Sequence, residues 1–141
     1  MCVTLIFNFS NYWRFVKNYT FTANINKSIG KVDRVLTAVK LIKSNIILKG
    51  ANTIIVSHDK KIVINTHTSS ELAVIGSGDV LSGFLVSMIG EKKMNPFLGG
   101  CAAVWLHGDI AKKHGQGLIS EDIVKGIPDA LKRLKNGKFI K

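Results

Sequence analysis

Two glycines flank a serine, and an aspartate follows, in the stretch Val74-Ile75-Gly76-Ser77-Gly78-Asp79-Val80-Leu81-Ser82-Gly83. An apolar pattern with helical spacing begins directly after the aspartate. The first amides of such a helix lack intrahelical acceptors and lie at the positive end of the helix dipole, where a phosphate group can bind. We therefore predict an anion site in this loop, with Asp79 at its mouth to take a proton from a hydroxyl group. The bare tetrapeptide also occurs in ordinary turns, where the aspartate only starts a helix.

The segments that follow this loop predict helices. A helix over residues 79–89 would bury Val80, Leu81, Phe84, Leu85 and Met88. Gly83 on its face indicates the close approach of a neighbouring element. Asn95-Pro96 is typical of an N-cap followed by the first helical position, and Gly115 would end that helix. Another helix opens at residues 120–122 and is interrupted or restarted at Pro128.

The segments that precede the loop predict a helix and three short strands. Residues 31–44 carry an amphipathic stripe formed by Val32, Val35, Leu36, Val39 and Ile42. Residues 46–48 then read as a buried parallel strand. Two apolar runs, residues 54–56 and 61–65, surround a polar loop at 57–60 and predict a β-hairpin. A helix followed by a short apolar strand is the repeating half of an α/β sheet.

Composition limits the class of protein. The chain has 141 residues, 46% of them hydrophobic and 21% charged, which is ordinary for one soluble folded domain. It has no run of 18 apolar residues to span a membrane, no secretory signal and only two cysteines, so we expect a cytoplasmic protein. The formal charge of +11 is scattered along predicted helix faces, which favours a solvated basic surface over a nucleic-acid interface.

Residues 1–26 differ from the rest of the chain. Seven of the eleven aromatic residues lie in this segment without a clear period. Two interpretations stay open: a strand and a short helix that pack on the domain, or an apolar surface that meets another segment. We treat residues 1–26 as an atypical aromatic-rich segment and residues 27–141 as the main unit.

Several motifs occur together in one order: KGANT at 49–53, the hairpin, GSGDVLSG at 76–83, then NPF, AAVWLHGDIA and ISEDIVKGIPDAL. From about residue 31 to about residue 134 the chain thus resembles the C-terminal half of the ADP- or ATP-dependent NAD(P)H-hydrate dehydratases, of the ribokinase-like superfamily. The resemblance implies a three-layer α/β/α fold, present here as only the C-terminal part of the usual domain.

The resemblance also implies roles for individual residues. Asp79 would contact the hydrated nicotinamide and activate its hydroxyl, and Gly78 would touch the nucleotide. The expected anion hole is Gly76, Ser77 and Gly78, and the expected nucleotide-binding residues are Lys49, Gly50, Ala51, Asn52, Thr53 and Gly78. The substrate would be hydrated NADH or NADPH, and the co-substrate ADP or ATP, with Mg²⁺ bound to the nucleotide.

Other functions stay open at this point. A related small-molecule kinase is one, and a non-catalytic remnant that needs a partner chain is another. A homo-oligomer or a complementary N-terminal fragment would serve as that partner. His107 and His114 lie seven residues apart on one predicted helix, about 10 Å along its axis, too far to share a metal ion, so we predict no metal site.

Overall fold

A computed structural model of the protein describes residues 30–136 and the backbone of Thr4–Phe7. The strands are β1 (Thr4–Phe7), β2 (Asn45–Leu48), β3 (Thr53–Val56) and β4 (Ile62–Asn65). The helices are α1 (Lys31–Ile42), α2 (Ser77–Val86), α3 (Pro96–His114), α4 (Ser120–Lys125) and α5 (Ile127–Lys135). A short 3₁₀ turn at Ser70–Leu72 precedes α2, and a π-helical turn at Ser87–Glu91 follows it. None of the described helices is both long and apolar enough to cross a membrane.

The four described strands form one sheet in the order β1-β2-β3-β4, and every pair is antiparallel. The predicted hairpin is confirmed, because β3 pairs with β4 around the polar loop with Val56 opposite Ile62. The prediction that residues 46–48 form a parallel strand is wrong. Only four residues join β2 to β3, whereas a parallel pair needs a crossover of a dozen or more residues. The strand is nevertheless buried, as its composition indicated.

Helices cover both faces of the sheet, which gives the predicted three layers. On one face α1 packs its residues Val35, Ala38 and Val39 against Ile46, Ile54 and Val56. On the other face Ile47 and Ile55 join a larger apolar cluster with α2, α3 and the two C-terminal helices. Successive side chains along β2, and likewise along β3, therefore pack into different apolar clusters, because successive residues of a strand point to opposite faces.

Several helix ends agree with the sequence signals. The side chain of Asn95 accepts hydrogen bonds from the amides of Phe97 and Leu98, so it caps α3 as predicted. Gly115 ends that helix. The predicted close approach at Gly83 is wrong, because a Cβ atom built there meets no atom within 4 Å. Gly83 lies on the exposed side of α2.

The division of the chain at residues 26 and 27 stays a prediction. The backbone of β1 comes from the aromatic-rich segment and pairs with β2. The other residues of that segment lie outside the described part of the chain.

Candidate functional site

The glycine loop that precedes α2 is fixed by side chains on both sides. Gly76 is the N-cap and has a φ of 83°, a conformation that glycine adopts at little steric cost. The Ser77 hydroxyl donates to the carbonyl oxygen of Leu72 at 2.7 Å. The Ser120 hydroxyl at the start of α4 donates to the carbonyl oxygen of Ile75. A Cβ atom on Gly76 would lie 2.8 Å from that hydroxyl oxygen, so the loop fits closely against α4 only with glycine there.

The amides of this first turn differ in what they bind. The amide of Ser77 donates to the carbonyl of Val74 at 3.3 Å, and the amide of Asp79 donates to the carbonyl of Gly76 at 2.9 Å. The hydrogen bonds of residues 30–136 include none in which the Gly78 amide is the donor. The same holds for the amide of Gly76, but of the two only Gly78 lies beside Lys49, so its amide is the one placed to share an added acceptor with the ammonium group.

Lys49 reaches this turn from the end of β2. Its Nζ atom lies 3.3 Å from the position that a Cβ atom of Gly78 would take. A side chain at position 78 would therefore press on the ammonium group. Burial lowers the pKa of Lys49, and the negative charge of Asp79 partly opposes that effect. Lys49 lies 29 positions before Gly78 and 30 before Asp79 in the sequence, and the fold brings them together.

Asp79 lies in the first turn of α2 and is exposed, as predicted. Its carboxylate interacts electrostatically with Lys49. A carboxylate at the positive end of a helix dipole is stabilised in its charged form. The first turn thus combines one acid, one ammonium group and one amide at a single accessible place.

The rest of the KGANT segment forms the tight turn between β2 and β3. Gly50, Ala51 and Asn52 are exposed in it. Thr53 is buried, and its hydroxyl donates to the carbonyl of Gly50 at 3.4 Å, so it holds the turn itself. The assignment of Gly50–Thr53 to a nucleotide stays a prediction.

His107, on α3, lies beneath the glycine loop and was not among the predicted site residues. Its Nε2 atom is 2.9 Å from the carbonyl oxygen of Ser77, and its ring meets Phe84 edge-on with centroids 6.1 Å apart. Burial, together with the positive charge of Lys49, lowers the pKa of His107 to about 4, although the bond to Ser77 acts in the opposite sense. The imidazole is therefore neutral at pH 7. The sequence signal that could have identified His107 is its position among the apolar residues of a helix that is largely buried.

A second polar group lies at the start of the loop that leads to the glycine turn. The buried Asp109 accepts from Arg133 at 2.5 Å and contacts His67 at 3.3 Å. The ring of His67 stacks on Trp105 at 5.0 Å, nearly parallel. Trp105 also packs against the larger apolar cluster. This group joins the loop and α5 to α3.

The residues that the structure describes contain no group of three or more His, Cys, Asp or Glu side chains arranged to hold a metal ion. His107 and His114 both lie on α3. His114 faces Asp122 instead, at 3.7 Å.

Known proteins resemble most of the chain. A family model described as NAD(P)H-hydrate dehydratase matches residues 21–129. An ADP-dependent (S)-NAD(P)H-hydrate dehydratase from Neisseria meningitidis serogroup B is 34% identical over 95 residues, which make up 66% of this chain and 32% of that protein. A bifunctional NAD(P)H-hydrate repair enzyme Nnr from Thermofilum pendens is 34% identical over 114 residues, or 74% of this chain and 21% of that protein.

Among solved structures, Bacillus subtilis YxkO, a member of the UPF0031 family, superposes with a TM-score of 0.65 at 24% identity. The match covers 72% of this chain and 40% of that one. This likeness confirms the predicted ribokinase-like α/β fold. The chain spans about a third or less of the length of the two curated relatives.

Proposed function

The chain belongs to the NAD(P)H-hydrate dehydratase family, and on that premise we propose that it takes part in the nucleotide-dependent dehydration of hydrated NADH or NADPH. The proposal rests on one observation: Lys49, Gly78 and Asp79 lie close together at the start of α2. Phosphoryl transfer needs an anion site beside a group that can take a hydroxyl proton, and these three residues provide both. The relative whose name specifies ADP supports a nucleotide co-substrate.

In the proposed reaction the hydroxyl of the hydrate attacks the terminal phosphorus of ADP or ATP. Asp79 takes the hydroxyl proton, and the bond between that phosphorus and the bridging oxygen breaks to release AMP or ADP. Lys49 and the Gly78 amide, with Gly76 and Ser77 forming the rest of the turn, stabilise the charge on the phosphoryl oxygens. The C–O bond to the phosphate then breaks, inorganic phosphate leaves, the adjacent carbon loses a proton to solvent, and the carbon–carbon double bond of the reduced nicotinamide ring is restored.

The electrostatic interaction between Lys49 and Asp79 has a role in this scheme. Without nucleotide the ammonium group is stabilised by the carboxylate. A bound phosphate offers the ammonium group a second negative partner. Lys49 is thus proposed for the nucleotide and Asp79 for the hydroxyl group.

Mg²⁺ is proposed to arrive with the nucleotide. Its usual ligands are phosphate oxygens, waters and one or two carboxylates, and the exposed Asp79 is a carboxylate of the same helical turn as Gly78. The cation would offset phosphate charge there. We also propose that the protein works in the cytoplasm, where nicotinamide nucleotides are used.

The remaining part of the substrate surface is proposed to come from a complementary segment or a second copy. The support is the length of the relatives, since this chain spans 40% of the YxkO structure and 32% of the Neisseria enzyme. Mixing the chain with the N-terminal part of such a domain tests this point. We expect a stable complex by size-exclusion chromatography and a gain of dehydratase activity, and neither would be seen if no partner is required.

A thermal-shift measurement with ADP and ATP tests the site itself. A nucleotide at a hundred times its dissociation constant stabilises the folded state by about 2.7 kcal/mol, which raises the melting temperature by roughly 5–10 °C for a domain of this size. Lys49→Ala should lose most of this shift, and Asp79→Ala should keep it while dehydration of the hydrated cofactor is lost. Lys40→Ala, an exposed lysine of α1, is the control.

Equal shifts for the wild type, Lys49→Ala and Lys40→Ala would contradict the nucleotide assignment. A product that keeps its phosphate would show that the protein is a kinase and not a dehydratase.

A further inference from the structure

His107 and the glycine loop are joined through one peptide group. The carbonyl of Ser77 and the amide of Gly78 belong to the same peptide plane, and no peptide bond among the described residues is cis. In a trans peptide the carbonyl and the amide point in opposite directions. A group that holds the Ser77 carbonyl toward the protein interior therefore directs the Gly78 amide away from it.

The imidazole of His107 is suited to hold that carbonyl. A carbonyl oxygen can only accept, so the Nε2 atom at 2.9 Å carries the hydrogen. The ring is 3% exposed, and its edge-on contact with Phe84 fixes its plane. The buried helix α3 thus supports the loop from below.

The Gly78 amide that results is suited to bind an anion. The hydrogen bonds of residues 30–136 include none with this amide as donor, and the Lys49 ammonium lies beside it. A neutral donor is required beneath the loop, since a charged imidazole would repel Lys49. The low pKa of His107 agrees with that requirement.

From this geometry we infer that His107 is a positioning residue, which directs the Gly78 amide toward the transferring phosphoryl group by binding the Ser77 carbonyl. The inference rests on the proposed function for its catalytic meaning. In this role His107 touches neither substrate nor nucleotide and acts through the peptide group between Ser77 and Gly78.

Two substitutions at His107 separate positioning from packing. His107→Leu removes the donor and retains much of the volume, whereas His107→Gln places an amide nitrogen near the position of Nε2. We expect His107→Leu to lower kcat by about 10- to 100-fold, less than the roughly 10²- to 10³-fold cost of deleting an oxyanion donor, with a smaller change in KM for ADP. His107→Gln should recover most of that loss. His58→Leu, in the exposed turn between β3 and β4, is the control and should change neither constant.

A second readout does not depend on catalysis. The ¹⁵N–¹H resonance of the Gly78 amide and its hydrogen-exchange rate should change in His107→Leu and return toward the wild-type values in His107→Gln. An unchanged Gly78 resonance in His107→Leu overturns the inference, whether or not the protein is a dehydratase. A wild type that turns over neither ADP nor ATP even when mixed with the N-terminal part of such a domain, but whose Gly78 amide responds to the substitution as stated, refutes the proposed function and leaves the positioning role supported.

Discussion

Acid should destabilise the protein through His107. The ordinary pKa of 6.5 holds in the unfolded chain, and the folded protein lowers it to about 4, chiefly by burial. Between these values the unfolded chain binds more protons, so the free energy of unfolding falls as the pH falls from 6.5 to 4 and is level above 6.5. At roughly 1.36 kcal/mol per pKa unit, the gap corresponds to about 3 kcal/mol of stability lost at pH 4.

Urea unfolding between pH 7.5 and 4 measures this loss. Carboxylates contribute to the same curve, so the informative quantity is the difference between the wild type and His107→Gln at each pH. The free energy of unfolding of the wild type minus that of His107→Gln should fall by about 3 kcal/mol from pH 7 to pH 4, since glutamine cannot bind the proton. His58→Gln should follow the wild type, because His58 is exposed. A wild-type-minus-His107→Gln difference that does not change with pH would refute the assignment of a neutral, buried imidazole under the loop.

Two further predictions concern the packing of α3 and its neighbours. A Cβ atom on Gly108 would lie 1.9 Å from a loop carbonyl oxygen, so Gly108→Ala should destabilise the fold by about 1–3 kcal/mol or more. The unobstructed, exposed Gly83→Ala should stabilise it by about 0.5–1 kcal/mol, and urea unfolding measures both effects. Equal effects of the two substitutions would show that the loop does not lie against α3. Arg133→Met removes the close partner of the buried Asp109 and should cost about 3 kcal/mol, against less than about 0.5 kcal/mol for the exposed Lys132→Met. Similar costs for these two would exclude a structural role of the buried pair.

Features with local causes were predictable from the sequence. The stripe of α1, the cap at Asn95, the hairpin of β3 and β4 and the exposed acid at Asp79 each depend on residues close together in the chain. Local patterns determine such features because helix and strand periods and cap chemistry act over a few residues.

Features that depend on distant contacts were not predictable. The direction of β2 depends on its neighbours in the sheet, and an apolar run carries no information on strand direction. Whether another element approaches Gly83 depends on the packing of the whole fold, which a glycine in a helical pattern does not determine. His107 binds a carbonyl thirty residues away, and Asp109 binds partners on two other segments. No periodicity in the sequence relates such positions.

The sheet separates the apolar interior into two compartments, one under α1 and one beneath the glycine loop. Substitutions in separate compartments share no side-chain partners, so their energetic effects should add. Substitutions at Val35, Val39 or Ile54 should therefore change the thermostability of the chain while leaving the proposed site at Asp79 unaltered. Mutations in the apolar cluster under α1 should therefore affect the proposed site less than mutations in the cluster beneath the glycine loop.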